Sequence, residues 1–385
     1  MFDNFKRFFA IAGLSTLLAA CQIIPHGDTG PATTPVPETK PSESTLPQDE
    51  SRHRVALLVP LSGNNAGVGQ SIANATTMAL LDTNAGNLRI TTYDTAKGAK
   101  SAADRAITDG NRLILGPLLA DNVPAVLAAA APADIPLISF SNDASVASSD
   151  VFVMGHIPEQ SVTRTVDYAM SQGSKRFAVL TPRGEYGRRA AKALEEAVAA
   201  RGGQMVATQS YDRGNSLIIS AAKKLTAQGG FDTVLIADGA RLSAIGASAL
   251  KEAGDTLPHI LGTELWSGEA SIANAEALRG AWFSAVPDAR YRRFVDSYES
   301  RFGQQPYRIA TLGYDSVLLT LRVAREWQPG QAFPTSRLMA RDGFIGLDGV
   351  FRFGRDGVGE RAMEVRQIGN GTVSVVAPAP ERFTN

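Results

Sequence analysis

From Arg54 onward, strand-length apolar runs alternate with helical patterns of apolar spacing. Val55–Pro60 (VALLVP) reads as a buried strand, and Ile72–Leu81 as a helix with Ile72, Ala75, Ala79 and Leu80 on its buried side. A strand at Leu88–Tyr93, a helix at Ser101–Thr108, a strand at Arg112–Leu115, a helix at Asn122–Ala131 and a strand at Pro136–Phe140 follow. Near-continuous apolar strands separated by amphipathic helices predict βαβ units and a parallel sheet covered on both faces. The pattern then restarts. Glu159–Gln172 is helical, with Pro158 suited to its first turn, and Phe177–Leu180 is a strand. Gly187–Arg201 is a helix stopped by Gly202-Gly203, and Met205–Gln209, a helix around Ala221–Gln228 and a strand at Thr233–Ala237 continue the series. Two successive α/β series predict two similar lobes, each with its own sheet. The last segment differs: Gly349–Phe353, Ala362–Ile368 and Thr372–Val376 read as short strands joined by Asp356-Gly357 and Asn370-Gly371, both hairpin-turn signals.

The first residues break this pattern. Lys6 and Arg7 precede an apolar run from Phe8 to Ala20, shorter than the about 20 residues a permanent span needs. A basic start, a short apolar stretch and small residues at its end describe a secretory signal. Leu18-Ala19-Ala20-Cys21 resembles the lipobox of bacterial lipoprotein signals, which implies a signal peptide at 1–20 and a lipid on Cys21. Gln22 in place of the aspartate that retains many such proteins at the inner membrane implies an outer-membrane lipoprotein facing the periplasm. Cys21 is the one cysteine of the chain, as suits an oxidising compartment. Residues 21–53 form a tether, with Pro25, Pro31, Pro35, Pro37, Pro41 and Pro47 among Thr, Ser, Gly and Glu. Such a segment buries too little to offset its ordering entropy; extended, it reaches up to roughly 90 Å.

Composition narrows the function classes. Lys+Arg and Asp+Glu number 38 each, with no basic block, so nucleic acid is not an expected partner. The four histidines, His26, His53, His156 and His259, are scattered, which argues against a metal site built on histidine and cysteine, and nothing implies a cofactor. Gly67-Val68-Gly69 lies between a strand and a helix but lacks the third glycine of a dinucleotide loop. No G-x-S-x-G elbow, P-loop or H-E-x-x-H occurs, and Glu195-Glu196 or Asp212 with Glu185 are expected to be solvated charge. No catalytic residue is expected.

In open parallel sheets, ligands bind beyond the carboxyl ends of the strands, where amides at helix starts are free. The first series offers Ser62, Gly116-Pro117-Leu118, Ser139 and Ser141 there. The second offers Thr181-Pro182 with Tyr186, then Asp238-Gly239, and Glu264 with Trp266 after the strand at His259–Leu261. Hydroxyls, amides and one or two acids across a cleft suit a small zwitterion or a sugar-peptide fragment. The plainer alternative is that Ser62, Ser139 and Ser141 cap helices and form turns.

The run Val55–Gly63 with Gly67 and Gly69 resembles the opening of type I periplasmic binding proteins of the leucine/isoleucine/valine class. Tyr186-Gly187, Tyr314-Asp315-Ser316 and Gly346-Leu347-Asp348-Gly349 fit the same class. The resemblance covers about Arg54 to Val376 and implies an α/β fold of two Rossmann-like lobes with parallel sheets and a hinge, closing on a ligand between them. Its lobes would be 54–157 with 288–343, and 158–287 with 344–380. A narrower set resembles the C-terminal domain of penicillin-binding-protein activator lipoproteins: Tyr93-Asp94-Thr95, Asp109-Gly110, Gly116-Pro117-Leu118-Leu119 with Asn122-Val123, Ile157-Pro158-Glu159, and Leu180–Arg183 before Gly187-Arg188-Arg189. That family is anchored in the outer membrane and stimulates a peptidoglycan synthase by contact. The chain departs from its longer members in carrying the proline-rich tether where they have a helical-repeat domain. It departs from amino-acid binders too. They commonly place a serine for the ligand carboxylate after the third-strand glycine, where this chain reads Gly116-Pro117-Leu118-Leu119-Ala120-Asp121.

Two functions therefore stand side by side. One is regulation of wall synthesis through a penicillin-binding protein, favoured slightly by the narrower motifs, lipobox and tether. The other is a solute-binding lipoprotein handing a small molecule from the interlobe cleft to an ABC permease.

Overall fold

The computed structural model describes residues 50–254 and 258–383. The expectations for the signal, for the tether as far as Asp49 and for Cys21 lie outside the described residues. Among those described, no helix is long and apolar enough to cross a membrane.

The first lobe opens with β1 (His53–Val59), α1 (Ala66–Asp82), β2 (Leu88–Asp94), α2 (Ala99–Thr108), β3 (Ile114–Leu115), α3 (Val123–Ala130), β4 (Leu137–Ser139) and β5 (Val151–Val153). Its five strands are parallel in the order β2-β1-β3-β4-β5. The central strands are buried on both faces, which is why VALLVP shows no polar alternation. The second lobe runs α4 (Pro158–Ser171), β6 (Arg176–Pro182), α5 (Glu185–Ala200), β7 (Gln204–Tyr211), α6 (Asn215–Gln228), β8 (Thr233–Ile236), α7 (Ala240–Ala253), β9 (His259–Gly262) and β10 (Trp282–Ala285). Helices α4 and α5 cover one face of its sheet, α6 and α7 the other.

The chain then returns to the first lobe. Helices α8 (Ala289–Phe302) and α9 (Thr311–Ala324) pack against α1 through Met78, Phe294 and Tyr298 and through Ile72 and Leu312. Three short antiparallel strands follow, β11 (Phe344–Gly346), β12 (Gly349–Phe353) and β13 (Gly359–Arg361). Two more complete a seven-stranded sheet, β15-β14-β10-β9-β8-β6-β7: β14 (Glu364–Ile368) adds antiparallel to β10, and β15 (Val373–Ala377) antiparallel to β14.

The two turn signals near the end therefore serve different sheets: Asp356-Gly357 joins β12 to β13, and Asn370-Gly371 joins β14 to β15. Phe344, Phe351 and Phe353 pack with Phe152, Leu319 and Trp327, so residues 344–361 complete the first lobe. The sequence places the return to the second lobe at 344. The apolar run Ala362–Ile368 hides the actual crossing, which falls between Arg361 and Glu364. The other crossings lie between β5 and α4 and between β10 and α8.

Corresponding glycines let the leading helix of each lobe close on its strand. A Cβ at Gly69 would collide with the Pro60 carbonyl, and one at Gly187 with the Pro182 carbonyl. This close helix–strand approach is the physical content of the glycines after both strand ends.

Candidate functional site

The carboxyl ends of the two sheets face each other. Arg189, in the first turns of α5, donates to the Asn142 carbonyl beyond β4 at 2.7 Å and so joins the lobes. Glu159, at the start of α4, grips the same guanidinium through both oxygens, at 2.6 and 2.7 Å, and Asp143 stands 4.0 Å away. A rim cavity of about 270 Å³ opens beside this clasp, lined by Asp143, Ser145, Glu159, Glu185, Arg188 and Arg189 among others.

On the second lobe's wall the structure brings together two residues expected from sequence, Tyr186 and Glu264. Tyr186 lies in the first turn of α5, where Gly187 draws the helix onto β6. Glu264 follows β9 in a short 3-10 turn. The Tyr186 phenol donates toward Glu264 Oε1 at 3.0 Å and lies 2.8 Å from Thr263 Oγ1. Glu264 Oε2 is sealed from solvent and has no hydrogen-bond partner among the described residues. Ser161 stands near, but its hydroxyl proton goes to the Ser284 carbonyl at 2.7 Å. Burial pushes the Glu264 carboxyl up to about 7, and the Tyr186 phenol rises through burial and the Glu264 charge beside it.

The other expected residues are engaged within the fold. Ser62 Oγ donates to Asp94 Oδ2 at 2.8 Å, while Leu61 N–H donates to Oδ1. Ser139 Oγ donates to the Pro117 carbonyl at 3.0 Å and accepts from Ser141 N–H; Ser141 Oγ accepts from Asp143 N–H. These serines shape the turns after their strands. Asp238 accepts from the Tyr211 phenol and from Gly239 N–H, both at 2.8 Å, and from Arg213 at 3.3 Å. Its carboxylate is already saturated by its own lobe.

The sequence misses the clasp Arg189–Glu159–Asn142 and a buried polar hub where the crossings meet. Asp348, fully buried before β12, accepts from Arg308 at 2.8 Å and from Thr311 Oγ1 at 2.8 Å, and His156 Nε2 lies 2.7 Å away. Arg361 Nη1 is 3.9 Å from the same carboxylate, and its Nη2 donates to the Met154 carbonyl at 2.7 Å. Burial pushes the Asp348 carboxyl up, but Arg308, His156 and Arg361 overrule it and hold it well below the ordinary range. Burial keeps His156 below its usual value against the pull of Asp348. The motifs containing Asp315 and Asp348 are visible in sequence, yet their partnership is not. The Asp315 carboxylate accepts from Leu347 N–H at 2.6 Å and Asp348 N–H at 3.3 Å, and a Cβ at Gly346 would collide with it.

Comparison with known proteins agrees with this architecture. Residues 53–372 match the model of the periplasmic binding protein family. Solved structures of the same two-lobed, type I form include a leucine-binding protein of Thermotoga maritima, 18% identical with a TM-score of 0.65, covering 85% of this chain and 98% of that one. A branched-chain amino-acid transporter's substrate-binding protein from Streptococcus pneumoniae, in complex with isoleucine, is 20% identical with a TM-score of 0.65, covering 86% and 100%. A transporter's solute-binding protein from Rhodopseudomonas palustris, holding 3,4-dihydroxybenzoic acid, is 20% identical with a TM-score of 0.68, covering 87% and 98%. Among curated proteins, an uncharacterised protein of Rickettsia prowazekii is 25% identical over 187 residues, 48% of this chain and 50% of its own length.

Proposed function

We propose that this chain, which belongs to the periplasmic binding protein family, binds a small solute between its lobes and presents it to an ABC importer. One observation carries the reading: Glu264 Oε2 is buried on the cleft side of β9 and left without a partner. An orphaned buried acceptor is costly unless something satisfies it, and a ligand donor reaching the cleft does so. Structural relatives that hold isoleucine and 3,4-dihydroxybenzoic acid support the same class of function. Acylation at Cys21 with the proline-rich tether behind it would hold the binding body at the periplasmic face of the outer membrane, as the lipobox resemblance implies. The alternative partner, a penicillin-binding protein, draws no support from these relatives.

The test is a thermal-shift screen of the full chain against amino acids, aromatic acids and amines, run beside Glu264→Gln. A compound that raises the melting temperature of the wild type and not of the variant supports the reading. Hits that stabilise both equally place binding elsewhere and count against it.

A further inference from the structure

We propose that residues 378–383 form a releasable strap between the lobes, beside the three covalent crossings, and that its detachment frees the hinge. Strand register brings the strap to light. In the second lobe, β14 pairs with β15 as far as Val365 with Ala377. In the first lobe, β12 pairs with β13 so that Arg352 faces Glu360. Five residues back from Val365, through the last crossing, lies Glu360. Six residues on from Ala377 lies Phe383, whose ring centroid is 4.4 Å from the Arg352 guanidinium carbon. Residues 378–383 therefore leave the edge strand of one lobe and reach a strand of the other, following the last crossing in the opposite direction.

An arginine holds each end. Arg164, on α4, donates from Nε to the Met363 carbonyl at 3.3 Å and from Nη2 to the Pro378 carbonyl at 3.4 Å. The start of the strap is thus tied to the covalent connection it follows. At the far end, Glu360 accepts from Arg352 Nε at 2.7 Å and orients the guanidinium against the Phe383 ring. An aromatic face attracts a cation, so the far anchor needs no backbone pairing.

The residues between the anchors suit a stay and not a further strand. Pro378 and Pro380 have no N–H to carry the ladder on from β15, and their fixed φ leaves the segment little freedom to lose on docking. Pro380, Glu381 and Arg382 are exposed and Phe383 is half-buried, so lifting the segment unpacks no core. A partly exposed cation on one ring favours the attached form by about two- to fivefold. The attached form is therefore the majority, and the detached form is a substantial minority. The Arg189 clasp joins the lobes across the cleft, whereas the strap stiffens the crossing about which they turn.

The experiment compares the full chain with Phe383→Ala, Phe383→Trp and a deletion of residues 378–385. Hydrogen exchange reads the last crossing, where Arg361 N–H donates to Gln160 Oε1 at 3.1 Å and Ala362 N–H to the Val350 carbonyl at 3.0 Å. These two amides should exchange about three- to sixfold faster in Phe383→Ala and in the deletion, the factor by which the detached population grows. Phe383→Trp, which keeps an aromatic face, should exchange no faster than the wild type, and amides of β1 and β8 should not change in any variant. Spin labels at Leu81→Cys and Leu217→Cys, exposed positions of α1 and α6, with Cys21→Ser in every chain, should report a broader interlobe distance distribution once the strap is gone. Unchanged exchange or unchanged distances in the deletion overturn the proposal. So does Phe383→Trp exchanging as fast as Phe383→Ala, or acceleration that extends equally to β1 and β8, which would make the segment a general stabiliser and not a hinge strap.

Discussion

His156 Nε2 lies 2.7 Å from Asp348 Oδ2, an interaction that fastens the first crossing between the lobes to a loop 192 residues further along the chain. Asp348 also receives Arg308, and Arg361 from the last crossing approaches the same carboxylate while bonding back to Met154 on the first. A single buried carboxylate thus gathers residues that sequence keeps far apart.

Replacing it tests that role. Asp348→Asn takes from Arg308 and Arg361 the buried carboxylate they share, leaving Arg308 only Asp288 at 4.0 Å, and breaking a buried ion pair in this way costs about 3–5 kcal/mol. Urea unfolding should show a loss of that order. A loss under about 1 kcal/mol would mean the hub contributes little.

Arg189→Ala removes the clasp between the lobes, because Asn142 then loses its charged donor and Glu159 its partner. A charged hydrogen bond is worth about 1.5–3 kcal/mol, enough for roughly a tenfold or greater shift between closed and open lobes. Spin labels placed on exposed positions of each lobe should report longer distances in the variant. An unchanged distance distribution would assign lobe position to the hub alone.

Helix packing makes a separate prediction. Helix α9 crosses α1 at Gly313, where an added Cβ would collide with the Ile72 carbonyl. Gly313→Ala must push the helices apart, and overpacking of this kind costs about 1–3 kcal/mol. Calorimetry should show a lower melting temperature; a stabilised variant would contradict the close crossing.

Stability should also depend on pH in a direction set by two raised carboxyls. Burial raises Glu264 to about 7, from an ordinary 4.5. Burial, then Asp348, raises Asp315 to about 7, from 3.8. Groups with raised folded values stabilise the fold while protonated, so their contribution is complete below the ordinary values and is lost as pH climbs through about 7. His156, lowered by burial, acts in the opposite sense, and its contribution is lost as pH falls below its ordinary 6.5. Urea titrations of the unliganded chain should show the part of stability owed to these carboxyls declining as pH rises from the ordinary carboxylate range to about 7 and levelling above it, with a shallower decline in Glu264→Gln. An identical pH profile for the two proteins would remove Glu264 from this list.

Much of the fold is legible because strands buried on both faces leave uninterrupted apolar runs, as in β1 and β8. Short or polar elements escape. β5 has only Val151–Val153 to announce it, and α8 (ARYRRFVDSYESRF) hides its buried Tyr291, Phe294 and Tyr298 among charges. The last crossing is hidden for another reason: β13 and β14 adjoin in sequence, while their partners lie in different sheets. At the site, the strand-end rule picks out Tyr186 and Glu264, which the structure brings within hydrogen-bond distance of each other. The same rule cannot tell a free hydroxyl from one used by its own turn, as at Ser139, or a free acid from a saturated one, as at Asp238. Partnerships such as Arg189 with Asn142 depend on how two lobes meet, which no local pattern carries.

Carbon-13 NMR of the Glu264 side-chain carboxyl tests most directly whether this residue receives the ligand. With the resonance assigned through Glu264→Gln, the free chain should titrate near 7. A compound that stabilises the wild type and not Glu264→Gln should, at saturation, move that titration away from its place in the free chain. A titration midpoint left in place by saturating ligand would contradict the account.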